Sequence, residues 1–365
     1  MDFKNLSIHF KKLDWPIIIT ASLLAIFGLV SIYSSSLGRG DFLNFKKQII
    51  FFVVGFILML VLSFLDWRIL RNDPFLVLGL YFLSILVLLG LLFFAPEIRG
   101  TKSWYQFGTV SFDPIEFAKI IFIILLAKYF SLRHVEIYRV RHILISGFYL
   151  LGLTILVLLQ PDLGSAIILI LIWIGIMIIS GIKIRHLLFL GLIFLLILII
   201  SWSYFLKDYQ RDRILTFINP QLDPRGISWS QNQAKIAIGA GGIFGQGIGH
   251  GSQTQYSFLP EAHTDFIFAS ISEETGIFGI IILLGLFCYL IWRIIKIALS
   301  SQTNFVRIFC TGLAILLISQ IFINIGMNLG LLPIIGLPLP LISYGGSSLI
   351  AIFLGLGILQ STKIH

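Results

Sequence analysis

The sequence predicts an all-α polytopic membrane protein of about ten transmembrane helices in a single domain. Of its 365 residues, 58% are hydrophobic and only 12% charged, with a mean hydropathy of +0.99, which is outside the range of soluble globular domains. The apolar residues also gather in blocks long enough to cross a bilayer. The net charge of +9 does not imply a nucleic-acid partner, because Lys and Arg collect in cytoplasmic loops of membrane proteins and face anionic lipid.

The first apolar block, Pro16 to Tyr33, follows a basic start carrying Lys4, Lys11 and Lys12. It is longer than a signal-peptide core and lacks a clear A-x-A site, so it reads as a retained first span. Spans are expected near 16–34, 48–65, 75–95, 113–130, 143–159, 163–181, 186–206, 265–292, 306–327 and 341–360. Cys288 and Cys310 both lie in apolar runs and suit neither a disulfide framework nor a zinc site.

An even number of spans puts both termini on one side. Under that topology the terminus side collects fifteen Lys and Arg and the opposite side ten, five of them in the long 207–264 loop. Long loops cross largely regardless of charge, so the fair comparison is fifteen against five. Both termini are therefore expected to be cytoplasmic, with one large extracytoplasmic loop between helices 7 and 8. That loop contains turn-rich Asn219-Pro-Gln-Leu-Asp-Pro224, a short amphipathic stretch over Ser230–Ile238, and a glycine run from Gly239 to Gly251. With no preceding strand or βαβ unit, the glycine run reads as a flexible surface loop rather than a phosphate cradle.

The direction of each span places its polar residues. Glu116 and Lys119, spaced i, i+3 early in the fourth span, share a face and can pair. Asp162 lies in the outer turn Gln160-Pro-Asp-Leu-Gly164, where an N-cap and a site role are equally good readings. Asp265 opens the eighth span from outside, with His263 two residues before it and Glu273 and Glu274 about 12 Å further in. Adjacent glutamates point about 100° apart, so one of the two reads as polar glue between helices. Asn324 and Asn328 lie near the outer end of span nine, and Ser343-Tyr-Gly-Gly-Ser-Ser348 opens span ten. These groups converge on one outward-facing polar cavity. Ionisable groups at membrane depth cost about 2.5–3.5 kcal/mol each on insertion scales, so the cluster reads as functional. Residue chemistry leaves the general base open between His263 and Asp265.

Four segments, Phe112-Asp-Pro-Ile-Glu-Phe-Ala-Lys119, Gln160–Ala166, Phe258–Gly276 and Gly336–Ser348, together resemble the SEDS (shape, elongation, division and sporulation) family. The resemblance runs along essentially the whole chain. Asp208–Arg213 and His250–Gln255 are more similar to the elongation (RodA-like) members than to the division (FtsW-like) members. The resemblance implies a peptidoglycan glycosyltransferase in the bacterial cytoplasmic membrane that polymerises lipid II into glycan strands during cell elongation. It also implies work with a class B penicillin-binding protein transpeptidase and other elongation-complex membrane proteins, and no nucleic-acid partner. The family's essential aspartate falls on Asp265, which selects it over His263, and the positions of Glu116, Lys119 and Asp162 line the family's cavity. Many members carry Arg where this chain has Ser103, with Lys102 one place earlier.

Such a transfer needs one base for the attacking sugar hydroxyl, and no carboxylic acid for a leaving group that departs as a stabilised diphosphate. Positive charge near the diphosphate must come from Lys119, Lys102, Arg211 or Arg213, or from a divalent cation (Mg or Mn) held by Asp265 or Glu116. No organic cofactor is expected. His263, Glu273 and Ser343 complete the expected cavity. The rival readings are a lipid II flippase or transporter and a non-catalytic cell-shape scaffold. The outer-sided clustering of polar groups argues against a transporter.

Overall fold

Four of the membrane helices start on the same chemistry, an aspartate that accepts backbone N–H bonds from the first turn. Asp14 caps α2 (Trp15–Arg39), Asp73 caps α5 (Pro74–Phe94), Asp113 caps α6 (Pro114–Ser131) and Asp162 caps α8 (Leu163–Ile179). In the first three, proline takes the first or second helical position, where its missing N–H costs nothing. The structure, a computed structural model, describes residues 3–96, 102–132, 140–192, 211–212, 215–217, 219 and 227–364. Its other helices are α1 (Phe3–Lys12), α3 (Leu43–Phe64), α4 (Arg68–Asn72), α7 (Val140–Leu159), α9 (Ile227–Ala240), α10 (Ser252–Gln255), α11 (Ile267–Ser300), α12 (Asn304–Leu329) and α13 (Gly346–Ile364).

Nine of the ten expected spans are these helices: α2, α3, α5 to α8 and α11 to α13. Of the remaining one, expected over 186–206, residues 184–192 are helix and the rest lies outside the described residues. One element departs from the all-α expectation. Between α5 and α6, β1 (Tyr105–Phe107) and β2 (Val110–Phe112) pair antiparallel through a two-residue turn at Gly108 (φ 60°) and Thr109.

Helices α6, α12 and α13 form the centre of the bundle and are mostly buried, whereas most of α3 and α5 is not. Small residues allow close crossing, as expected where lipid supplies no hydrophobic drive. A Cβ on Gly346 would press on the ring of Phe51, and one on Gly357 would meet the Met59 carbonyl. At the end of the bundle that holds both termini, Asp14 accepts from Arg293 at 2.9 and 3.0 Å and from Lys363 at 2.7 Å. Gln360 bonds the Asp14 backbone on both sides, so α2, α11 and α13 are tied together there.

The eighth span, expected as one helix over 265–292, is two helices in the structure. The chain leaves helical conformation at Gly276 (φ 66°, ψ −166°), and the part after it is long enough to span alone. A helix break frees backbone groups that lipid cannot satisfy. The glycine run satisfies them: Gln246 and Gly247 donate N–H bonds to the carbonyls of Glu273 (2.9 Å) and Glu274 (3.0 Å), while Ile277 and Phe278 donate to Gly242 (3.0 Å) and Ile243 (3.1 Å). Only glycine permits this approach. A Cβ on Gly241 would strike the Ser272 carbonyl, and one on Gly245 (φ 79°) would strike that of Glu274. The run over 239–251 is thus a fixed part of the α11 architecture, which corrects its reading as a flexible surface loop. The amphipathic stretch in the same loop is helix α9, docked on the outer end of α12 by Gln231, whose amide donates to the Met327 and Leu332 carbonyls at 3.3 and 3.0 Å.

Candidate active site

At the end of the bundle away from the termini, the first turns of α6, α8 and α13 surround a cavity of about 440 Å³. The segment 257–266 before α11, the 333–345 connection and the β-hairpin close its remaining walls. Asp113 and Glu116 enter it from α6, Asp162 from the start of α8, Glu261 and Asp265 from the segment before α11, and Tyr344, Ser347 and Ser348 from the start of α13. Trp104 and Ser111 complete the wall on the hairpin side.

The backbone of Asp265 is held from α12. Asn324 and Asn328, both fully buried and one turn apart, donate amide N–H bonds to the Asp265 carbonyl at 3.1 and 3.0 Å. Asn328 also accepts from the Ala269 N–H at 3.2 Å, in the first turn of α11, which has no side-chain cap of its own. Asn324 donates to the Leu337 carbonyl at 2.8 Å and so joins this helix start to the opposite wall. Glu261 begins the turn that delivers Asp265, in left-handed backbone (φ 46°) with its carbonyl accepting from the Thr264 and Phe266 amides. A non-glycine residue in that conformation is held there by its surroundings.

The expected site residues separate into those that line the cavity and those that support it. Glu116, Asp162 and Asp265 line it, and Asp162 caps α8 from the same position. Lys119 is completely buried and bonded to Glu116 at 2.8 Å, behind the wall rather than in it. Ser343 is also behind the wall: its hydroxyl donates to the Thr264 carbonyl at 2.7 Å and accepts from the Leu339 amide at 2.8 Å. His263 turns away from the cavity, with Arg39 at 3.1 Å from Nδ1 and Asn44 at 3.3 Å from Nε2.

Glu273 does not reach the cavity. Its carboxylate accepts from Gln253 N (2.7 Å), Thr254 N (3.0 Å) and Thr254 Oγ1 (2.8 Å), fastening α10. Glu274 takes bonds from Ser34, Gly249 and Gln255. Both glutamates therefore clamp the outer loop, where one had been expected in the cavity and one between helices. A buried carboxylate needs such donors, and Glu273 finds them in the backbone N–H groups of α10, Glu274 in the Gly249 N–H and the Ser34 and Gln255 side chains. Lys102 and Arg211 lie outside the cavity lining, and Arg213 falls outside the described residues.

Two lining carboxylates escaped the sequence reading. Asp113 reads as a cap because it precedes proline, yet it stands three residues before Glu116 and so shares its face. Glu261 lies inside the Phe258–Gly276 segment but carries no spacing signal. Among the described residues no three His, Cys, Asp or Glu side chains approach closely enough to hold a metal ion, so the wall offers no preformed cage for one. A carboxylate in such a wall, fixed through its own backbone, can take a proton from a hydroxyl brought within hydrogen-bond reach.

Residues 14–365 match the FtsW/RodA/SpoVE family of cell cycle proteins. The peptidoglycan glycosyltransferase MrdB of Escherichia coli (strain K12) is 36% identical over 357 residues, covering 97% of this chain and 94% of that protein. Among solved structures, a chain from a study of the coordination of polymerization and crosslinking by a peptidoglycan synthase complex superposes with a TM-score of 0.82 at 32% identity, covering 96% of this chain and 97% of that one. The rod shape determining protein RodA of Thermus thermophilus gives 0.72 at 30% identity, covering 96% of each chain.

Proposed function

The chain belongs to the FtsW/RodA/SpoVE family and is a RodA-like peptidoglycan glycosyltransferase, and we propose that it polymerises lipid II with Asp265 as the general base. It is a multi-pass membrane protein. Its proposed setting is the outer face of the bacterial cytoplasmic membrane during cell elongation. The observation that carries the assignment of the base is positional: Asp265 lines the cavity with its backbone anchored from α12, whereas His263 is engaged by Arg39 and Asn44 outside it.

In the proposed reaction the 4-hydroxyl of one sugar attacks the anomeric carbon of another, and Asp265 takes the hydroxyl proton as the bond forms. The electron pair of the broken bond leaves on the lipid diphosphate, which needs no protonation to depart. One carboxylate therefore suffices for the proton transfer.

The partner proposed for this chain is a class B penicillin-binding protein that crosslinks the strands. Support comes from the solved structure that joins polymerization and crosslinking in one complex. The test is polymerisation of purified lipid II by the chain with that partner. Glycan strands resolved on a gel support the reading, and lipid II translocation without polymer overturns it.

A further inference from the structure

Two stretches of backbone meet beside the proposed base. The connection 333–345 passes the Asp265 carboxylate at Gly336, where a Cβ would stand 3.7 Å from Oδ2. It then returns to the turn before α11. There the Tyr344 amide donates to the His263 carbonyl at 2.8 Å, and the Ser343 hydroxyl donates to the Thr264 carbonyl at 2.7 Å. Residues 343–344 are thus tied to 263–264, the pair that precedes Asp265. Tyr344 and Asp265 both line the cavity, so the tyrosine joins the wall at the carboxylate's own turn.

Tyr344 is also held from other sides. Gln48 of α3, 2% exposed, donates to the Ser343 carbonyl at 3.2 Å and accepts from the Gly345 amide at 3.3 Å, so it grips the backbone on either side of the tyrosine. The Tyr344 ring lies against the ring of His263, with centroids 5.7 Å apart and planes tilted by 57°. Arg39 and Asn44 engage the two nitrogens of that histidine. Its hydroxyl is the exception to this restraint. On a half-buried side chain, it makes no hydrogen bond among the described residues and is not closed off by its neighbours. A tyrosine O–H removed from bulk water ordinarily has a partner, so a ligand in the cavity is the missing one.

A sugar suits these features. A pyranose offers a face of C–H groups that packs on an aromatic ring, and a rim of hydroxyls that exchange hydrogen bonds with a phenol. Asp265 takes its proton from the attacking hydroxyl, so the sugar within reach of that carboxylate is the acceptor. A fixed ring beside the base sets the angle at which the hydroxyl meets it, and the rate depends steeply on that geometry. Because Tyr344 is already held by its backbone and by His263, little freedom is lost when the sugar docks on it.

We propose that Tyr344 binds the acceptor sugar, its ring packed on the sugar face and its hydroxyl bonded to the sugar rim. This rests on the reading of Asp265 as the base. The test uses two lipid II analogues that can react only with each other. One is a labelled donor lacking its 4-hydroxyl; in the other, the acceptor, a methylene replaces the oxygen between the anomeric carbon and the diphosphate, so nothing can leave. Their coupling by the complete chain with its partner gives separate KM values for donor and acceptor. Tyr344→Phe raises the acceptor KM about two- to tenfold, the effect of losing one neutral hydrogen bond, and Tyr344→Leu raises it further. The donor KM stays within about twofold in both variants, a split that general loosening of the site does not produce. Tm is unchanged in Tyr344→Phe, which carries the test alone if the leucine variant does not fold. An acceptor KM within about twofold of the wild type in Tyr344→Phe, or a donor KM that rises as much as the acceptor KM, overturns the proposal. Full kcat in Asp265→Asn with the Tyr344 shift intact sinks the base assignment alone, whereas a wild-type chain that couples nothing sinks the proposed function itself.

Discussion

Replacing Asn328 by leucine keeps the volume of a fully buried side chain and removes its amide. Two consequences follow from its bonds. The Ala269 N–H, bonded at 3.2 Å, loses its acceptor in a place that water does not reach, which costs about 1–3 kcal/mol. The Asp265 carbonyl keeps Asn324 at 3.1 Å but loses the 3.0 Å bond from Asn328, a further loss of about 1 kcal/mol. These two losses sum to about 2–4 kcal/mol at the start of the helix that follows Asp265, and the 2.8 Å bond from Asn328 to the Asn324 carbonyl within α12 is lost as well. If the amide pair also places the carboxylate, catalysis falls as well, because a misplacement of about 1 Å costs on the order of a hundredfold. Thermal unfolding in detergent reads the first effect and steady-state polymerisation of lipid II the second. The expected outcome is a lower Tm with kcat reduced at least about tenfold and KM within about twofold, the pattern of an interaction used in the transition state. A folded variant with wild-type kcat refutes the idea that α12 positions Asp265.

Two other substitutions test the support of the site. Lys119→Met leaves Glu116 buried without its partner and should cost about 3–5 kcal/mol, more than half of it recovered by adding Glu116→Gln; a single variant as stable as the wild type contradicts the buried pair. Gly245→Ala places a side chain at φ 79° against the Glu274 carbonyl, so it should lose more than the roughly 1–2 kcal/mol of left-handed backbone alone. Its readouts are Tm and protease cleavage within 239–251, and unchanged protection of that run contradicts the stitching of α11.

The spans were legible because length and apolarity decide them, and Asp-Pro at 73–74 and 113–114 marks two helix starts directly. The break in the eighth span was not. A lone glycine such as Gly276 is tolerated in many helices, and what makes it a break is the approach of Gly242 to Gly247, some thirty residues earlier in the chain. Periodicity carries no record of such a contact. The same reason explains Glu273 and Glu274: their chemistry was visible, but their partners come from α2, from Gly249 and from α10. Direction of travel through the membrane did bring Glu116, Asp162 and Asp265 to one end, where they line one cavity. Asp113 was hidden because a cap and a cavity residue look alike in sequence. The choice of Asp265 over His263 came from the family resemblance, and only the contacts of Arg39 and Asn44 give a geometric reason for it.

The most direct measurement is the turnover of lipid II by the purified Asp265→Asn chain with its crosslinking partner, beside His263→Ala under the same conditions. The asparagine keeps the shape and the backbone bonds to Asn324 and Asn328, and removes only the proton acceptor. Loss of a general base is worth about 10²–10⁴-fold. The expected result is a fall in kcat of that size for Asp265→Asn with Tm and partner binding unchanged, and a much smaller fall for His263→Ala. Polymer formed by Asp265→Asn at close to the wild-type rate contradicts Asp265 as the base.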